Sequence, residues 1–247
     1  MPREEIVQTV ADAGLPAHAR EGLWLDEGFN AVLRKLRGIG REENTCVIFT
    51  TDHPTAAKET CHLGRIPFMV RWPGKITPGT ESQALLAQAD LSPTIFGIAN
   101  CDIPADMHLD GQSFKPLLLG ETSESHRGNV LLEVVNSRAI VSGPWKYIAN
   151  RWPDYLPAVA DIKKTGWFGA TTYDNTYIRD SVPYQADRLW PSYFRADQLY
   201  DIETDPCEQR DLSEDPAYAE ILTEMRQKLQ VELAKLPHVF GEFRQDG

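Results

Sequence analysis

The sequence has no apolar run of the length a membrane span requires, and its opening, MPREEIVQTVADAG, carries acids where an export signal has an apolar core. The expectation is a soluble chain without a signal peptide, its compartment left open. Cysteine is sparse. Cys46, Cys61, Cys101 and Cys207 stand far apart with no C-x-x-C, which fits reduced thiols better than a disulfide scaffold or a zinc site. Positive charge is in deficit: 25 Lys and Arg face 36 Asp and Glu, and the net charge of −11 is spread along the whole length. That balance argues against a phosphate-backbone binder, so nucleic acid is excluded as a partner. Internal repeats and low-complexity tracts are lacking, and His18, His62, His108, His126 and His238 show no ligand spacing.

What is present is enough for a real core. Hydrophobic residues make up 42% and charged residues 25% of 247 positions, which suits one large domain or a domain with a smaller companion. In LWLDEGFNAVLRKLR, residues 23 to 37, Leu25, Phe29, Val32, Leu33 and Leu36 share one helix face, and Gly38 and Gly40 supply stops. Cys46 to Thr50 has neither charge nor alternation, as expected of a central strand covered on both faces. Phe68 to Arg71 reads as a second strand, closed by Pro73 and Gly74. In ADLSPTIFGIAN, Asp90 or Ser92 can cap a helix with Pro93 in its first turn and Leu91, Ile95 and Ile98 inward.

After about residue 120 the character changes. LLEVVNSRAIVSGPWKYI reads as two short strands around the turn Ser142-Gly143-Pro144, a hairpin rather than a crossover. Residues 150 to 197 are rich in Trp, Tyr, Pro and Asp with no period, the mark of an excursion with a role or of disorder. Of the rings around it, Trp152, Tyr155, Trp167, Phe168, Tyr173, Tyr177, Trp190 and Tyr193, most are expected to pack as a satellite core. Leu199 to Asp201 resumes as a strand. A last helix begins near Asp215-Pro216 and turns Tyr218, Ile221, Leu222, Met225, Leu229 and Leu233 inward.

The stretch that holds chemistry follows the first strand. In an open α/β sheet, ligands collect at the carboxyl ends of strands, and Asp52 and His53 stand at such an end. Thr-Asp-His-Pro is equally good turn chemistry. Lys58, six residues on from Asp52, is near enough to cover a tetrahedral oxyanion such as sulfate or phosphate, although a solvated surface lysine is its ordinary alternative.

Taken together, GREENTCVIFTTD at 40 to 52, His53, Lys58, RIPFMVRWPGKITPG, ADLSPT, DGQSFKPLLLG at 110 to 120, SRAIVSGPWKYI and LYDIETDPCEQRDL at 199 to 212 resemble, in order, the blocks of the sulfatase family of the alkaline phosphatase superfamily. The likeness runs from residue 23 to 236. It implies an α/β fold: part of an alkaline-phosphatase-like sheet flanked by helices over residues 1–122, then a small antiparallel sheet with a closing helix over 123–247. It also implies sulfate-ester hydrolysis. By position, Asp52 and His53 correspond to metal-site residues for a divalent cation, usually calcium, and Lys58 to the lysine that contacts the substrate sulfate.

The family's nucleophile, a formylglycine made within C/S-x-P/A-x-R, has no counterpart in these residues; Cys61-His62-Leu63-Gly64-Arg65 shares the Cys and Arg but lies downstream of the metal pair and lacks the Pro or Ala. The paired acids that complete the family's metal site have no candidate either, and Pro54 stands where the family keeps glycine. The expectations are therefore a C-terminal portion of a sulfatase, inactive as an isolated chain, with an incomplete cation site and a sulfated small molecule or saccharide as partner. An uncovered sheet edge would favour self-association. A non-catalytic remnant that binds sulfated sugars and a phosphate-ester hydrolase of the same superfamily are the alternatives.

Overall fold

The computed structural model describes residues 1–52, 60–134, 137–151, 189–237 and 240, and these fall into two compact units. The first holds residues 1–49 and 69–81. Its helix α1, Arg3–Asp12, buries Ile6 and Val10, four residues apart on one face, and packs against α2, Ala19–Gly38. The sheet of this unit pairs β1, Val47–Thr50, with β2, Phe68–Arg71. Phe29 of α2 meets Phe49 of β1 edge to face at 5.8 Å. Glu42 ties the end of α2 to β2, since Arg37 donates two hydrogen bonds to it at 2.9 and 3.0 Å and Arg71 donates a third at 2.7 Å.

Two expectations are corrected here. Strand β1 is half-buried at all four positions and not covered on both faces, because among the described residues its sheet has only two strands and neither is interior. Helix α2 has no fully buried residue, and Leu25 and Val32 of the expected inner face are exposed. Helix and strand lie where periodicity puts them; burial depends on neighbours that periodicity does not count.

The second unit, residues 50–68 and 82–247, includes a short 3₁₀ turn, Gln88–Asp90, that runs into α3, Leu91–Ala99. The inner face of α3 is Pro93 and Thr94, whereas Ile95 is exposed. A short helix α4, Lys115–Leu118, follows. Then come β3, Val130–Val134, β4, Ser137–Ser142, β5, Trp145–Asn150, and β6, Asp197–Asp201, an antiparallel meander in the order β3-β4-β5-β6. The expected hairpin is present: β4 and β5 pair from Ser142 opposite Trp145 to Ser137 opposite Asn150, across a two-residue turn with Gly143 at φ 55°.

Helix α5, Ala219–Leu233, closes one face of this sheet, and Asp215 accepts a hydrogen bond from the Ala217 amide where the helix begins. Its Leu222, Met225, Leu229 and Leu233 form one core with Ile140, Tyr147, Ala149 and Leu199. Alternation sends the other residues of the same strands to the opposite face, where Ala139, Ile148 and Tyr200 pack with Cys61. Both faces of the sheet are thus occupied, the second by residues that follow Lys58 in sequence. Among the described residues no helix is long and apolar enough to cross a membrane.

Candidate functional site

Asp52 lies two residues beyond the end of β1, exposed in a bend, and the preceding Thr51 carbonyl accepts a hydrogen bond from the Gln88 side chain at 3.3 Å. His53 and Lys58 lie outside the described residues. Among the described residues no group of three or more His, Cys, Asp or Glu side chains is arranged to hold a metal ion. Calcium takes six to eight oxygens, and of the two residues expected to hold it only Asp52 lies among the described residues.

The described residues place the other motif blocks in detail. Asp90 is fully buried, and its carboxylate is surrounded by donors: the amides of Ala87 at 2.9 Å and Gln112 at 2.8 Å, and the Arg127 guanidinium, which grips both oxygens. His126 stands 3.3 Å away. Burial pushes this carboxyl upward, but the hydrogen bonds from Arg127, Ala87 and Gln112 outweigh it and hold it below the usual range. Thr94 donates to the Asp90 carbonyl and accepts from the Phe114 amide. The ADLSPT and DGQSF blocks are therefore one interlocked structure. Gly111 is required at their contact, since a Cβ there would lie 2.0 Å from the Ala89 carbonyl oxygen.

The segment Thr60 to Gly64 is fastened to the β3–β6 sheet through Leu132, Gln198 and Tyr200, and beside it to Trp190 and Glu208. The His62 imidazole, 1% exposed, has Nδ1 2.6 Å from the Thr60 hydroxyl, and Nε2 lies 2.9 Å from Gln198 Oε1 and 3.4 Å from the Tyr200 hydroxyl. Its ring stacks on Trp190 at 4.7 Å. Burial, reinforced by the Lys146 ammonium and only partly offset by Gln198, brings His62 down to about 3, so the ring is neutral at neutral pH. Burial likewise raises the Tyr200 hydroxyl above its ordinary range. Leu63, at φ 47°, donates its amide at 3.0 Å to Glu208, and Glu208, itself at φ 56°, accepts from Lys146 at 2.6 Å. Lys146 and Glu208 are both almost wholly buried, and Glu208 Oε2 has no hydrogen-bond partner among the described residues.

Cys61 is sealed against Leu132, and burial drives its thiol up to about 12. A thiol held protonated is no nucleophile, in keeping with its departure from the nucleophile motif. All four cysteines are free. Trp190 and Tyr193 are buried, as a satellite core requires; the remaining aromatic positions of that excursion lie outside the described residues. The buried set of His62, Gln198, Lys146 and Glu208 had no signal in spacing, because its members sit up to 145 residues apart from what they hold.

Residues 61–141 match the family model described as N-sulphoglucosamine sulphohydrolase, C-terminal. An ulvan-active sulfatase of Formosa agariphila is 31% identical over 192 residues, 72% of this chain and 35% of the relative. The chain belongs to the sulfatase family. Its α/β fold with an antiparallel sheet and closing helix is also that of sulfatases of known structure. A protein solved in complex with its substrate D-glucosamine-2-N,6-O-disulfate superposes with a TM-score of 0.62 at 19% identity, over 87% of this chain and 39% of that one. The phosphonate monoester hydrolase of Agrobacterium radiobacter shares the fold at a TM-score of 0.54 and 20% identity, over 85% of this chain and 39% of its own. The chain thus spans well under half the length of the sulfatases it matches.

Proposed function

We propose that this chain serves the hydrolysis of sulfate esters on saccharides, as part of a sulfuric ester hydrolase. Lys58 contacts the sulfate, and Asp52 with His53 forms one side of an incomplete cation site. The observation that carries the reading is the match of residues 61–141 to an N-sulphoglucosamine sulphohydrolase region, the stretch that begins three residues after Lys58. The exposed carboxylate of Asp52 at a strand end, and a protein of like fold solved with a disulfated glucosamine as its substrate, support it.

The chain's own residues divide the work in a definite way. A lysine supplies positive charge to a sulfate oxygen without sharing a proton, which lowers the cost of charge gathering there. It forms no covalent bond to sulfur. The 247 residues hold no C/S-x-P/A-x-R motif, so the covalent step has no nucleophile within them. By themselves they bind a sulfated saccharide and do not turn it over.

Two measurements on the pure chain test this. Titration calorimetry with D-glucosamine-2-N,6-O-disulfate should give a heat that Lys58→Ala removes; no heat with the unaltered chain sinks the binding half. Aryl sulfate hydrolysis should stay at the blank rate, and release above it would show that a nucleophile is present after all.

A further inference from the structure

Thr60 to Gly64 lies on the face of the β3–β6 sheet opposite α5, where it contributes Cys61 to the apolar cluster of Ala139, Ile148 and Tyr200. Its other holds on the sheet side are largely polar: His62 to Gln198 and Tyr200, and the Leu63 amide to Glu208. The docked form is also tight. Leu63 takes a left-handed φ of 47°, which costs a residue with a side chain, and Gly64 has no room for one, since a Cβ there would stand 2.5 Å from Leu132 Cδ1. Each partner in the sheet keeps another without the segment. Tyr200 donates to Gln198 at 2.8 Å, the Gln198 amide donates to the Tyr193 and Arg195 carbonyls at 3.3 Å, Trp190 donates to the Cys207 carbonyl at 3.2 Å, and Glu208 retains Lys146. The core beneath α5 takes no residue from 60–64.

We propose that Thr60 to Gly64 is a latch that docks and releases as one piece, ahead of the sheet it rests on, and that acid opens it through His62. Charge around the ring supplies the trigger. Lys146 of β5 faces it with an ammonium, and the nearby Glu208 carboxylate already shares Oε1 between Lys146 and the Leu63 amide. Tyr200 of β6 and Cys61 in the segment itself offer no negative charge, because burial drives both the hydroxyl and the thiol up. Tyr193 faces the imidazole with its ring at 5.9 Å. Beside Cys61, Arg138 of β4 is paired with Glu133 of β3 at 2.9 Å. Among the described residues no carboxylate touches the imidazole, so a proton there adds a buried charge of the same sign as Lys146. In the released segment the same ring meets water, and the proton favours release.

Lys58 precedes the latch by two residues in sequence, so on the reading that it contacts sulfate, release also frees the chain that follows that lysine. That consequence rests on the sulfate reading; the latch itself rests on the contacts of residues 60–64.

Cys61 reports the latch, because its thiol is 2% exposed when docked and meets a reagent only on opening. The test uses the full chain carrying Cys46→Ser, Cys101→Ser and Cys207→Ser, so that dithiodipyridine reads Cys61 alone. Rates at each pH are divided by those of the same variant in urea, which removes the pH dependence of the thiol itself. The opening constant should rise about 25-fold from pH 7 to pH 5, as the ring passes from about 3 when docked to 6.5 when free. Hydrogen exchange on the unaltered chain should show rarer opening at Ile140 and Tyr147, paired in the middle of β4 and β5, than at Cys61. His62→Gln, which takes no proton, should hold the opening constant level with pH to within about twofold; if that variant does not fold, exchange on the unaltered chain decides. Cys61 opening that matches Ile140 and Tyr147 means that the sheet opens with the segment, and overturns the latch. So does an opening constant equal at pH 7 and pH 5, or a full rise in His62→Gln. None of these readings needs Lys58 to contact sulfate, so the latch and that reading fail separately.

Discussion

Acidification should loosen the fold through His62 in particular. The imidazole sits between Thr60, Gln198 and Tyr200, is stacked on Trp190, and faces the Lys146 ammonium, whose countercharge is Glu208. It has room for a neutral ring and no acid of its own to balance a proton. Its value falls from 6.5 in the unfolded chain to about 3 in the fold. Because the folded state disfavours the proton, the contribution is whole above the unfolded value and is lost as pH falls toward the folded one. The linkage amounts to about 2 kcal/mol at pH 5 and about 4 kcal/mol at pH 3, a large share of a typical domain's stability. Carboxylates titrate in the same window, so the assay is a difference. Urea unfolding of the unaltered chain and of His62→Gln should be followed at pH 7, 6, 5 and 4. The variant should be less stable at pH 7 by about 1–3 kcal/mol for the lost stack and hydrogen bonds, and the gap should close by about 2 kcal/mol at pH 5. A gap that is the same at pH 7 and pH 5 would refute the reasoning, as would an NMR titration placing the His62 ring near 6.5.

Three further outcomes are expected. Gly111→Ala pushes a methyl group into the Ala89 carbonyl, a backbone atom that cannot swing aside, and should cost about 3 kcal/mol in chemical unfolding, near the upper end for overpacking. Lys146→Met strands the buried Glu208 carboxylate with the Leu63 amide and should cost about 3–5 kcal/mol; adding Glu208→Leu should recover part of that, which a double-mutant cycle by urea unfolding will measure. Calcium should leave the thermal midpoint of the chain unchanged, and a chelator likewise, since Asp52 and His53 alone supply far fewer than the six to eight oxygens that ion takes.

Much of the architecture was legible because it is written locally. The spacing of Leu222, Met225, Leu229 and Leu233 makes an α5 of the expected extent, Gly143-Pro144 turns β4 into β5, and an Asp before a Pro starts the last helix. The motif blocks identified the family in the same way, as runs of neighbours read in order. Illegible were the depth of β1, the exposure of α2 and the whole of the His62 cage.

By itself, then, the sequence determined the elements, their order and the sulfatase ancestry, since periodicity, turn chemistry and motifs act over a few residues. Only the tertiary structure decided that DGQSF locks onto ADLSPT through the Asp90 carboxylate, and that His62 meets Gln198 across 136 residues. The second choice belongs to sheet register. A slip of one residue in β6 would turn Gln198 to the opposite face, and no pattern within a single segment records which face its neighbour has left vacant.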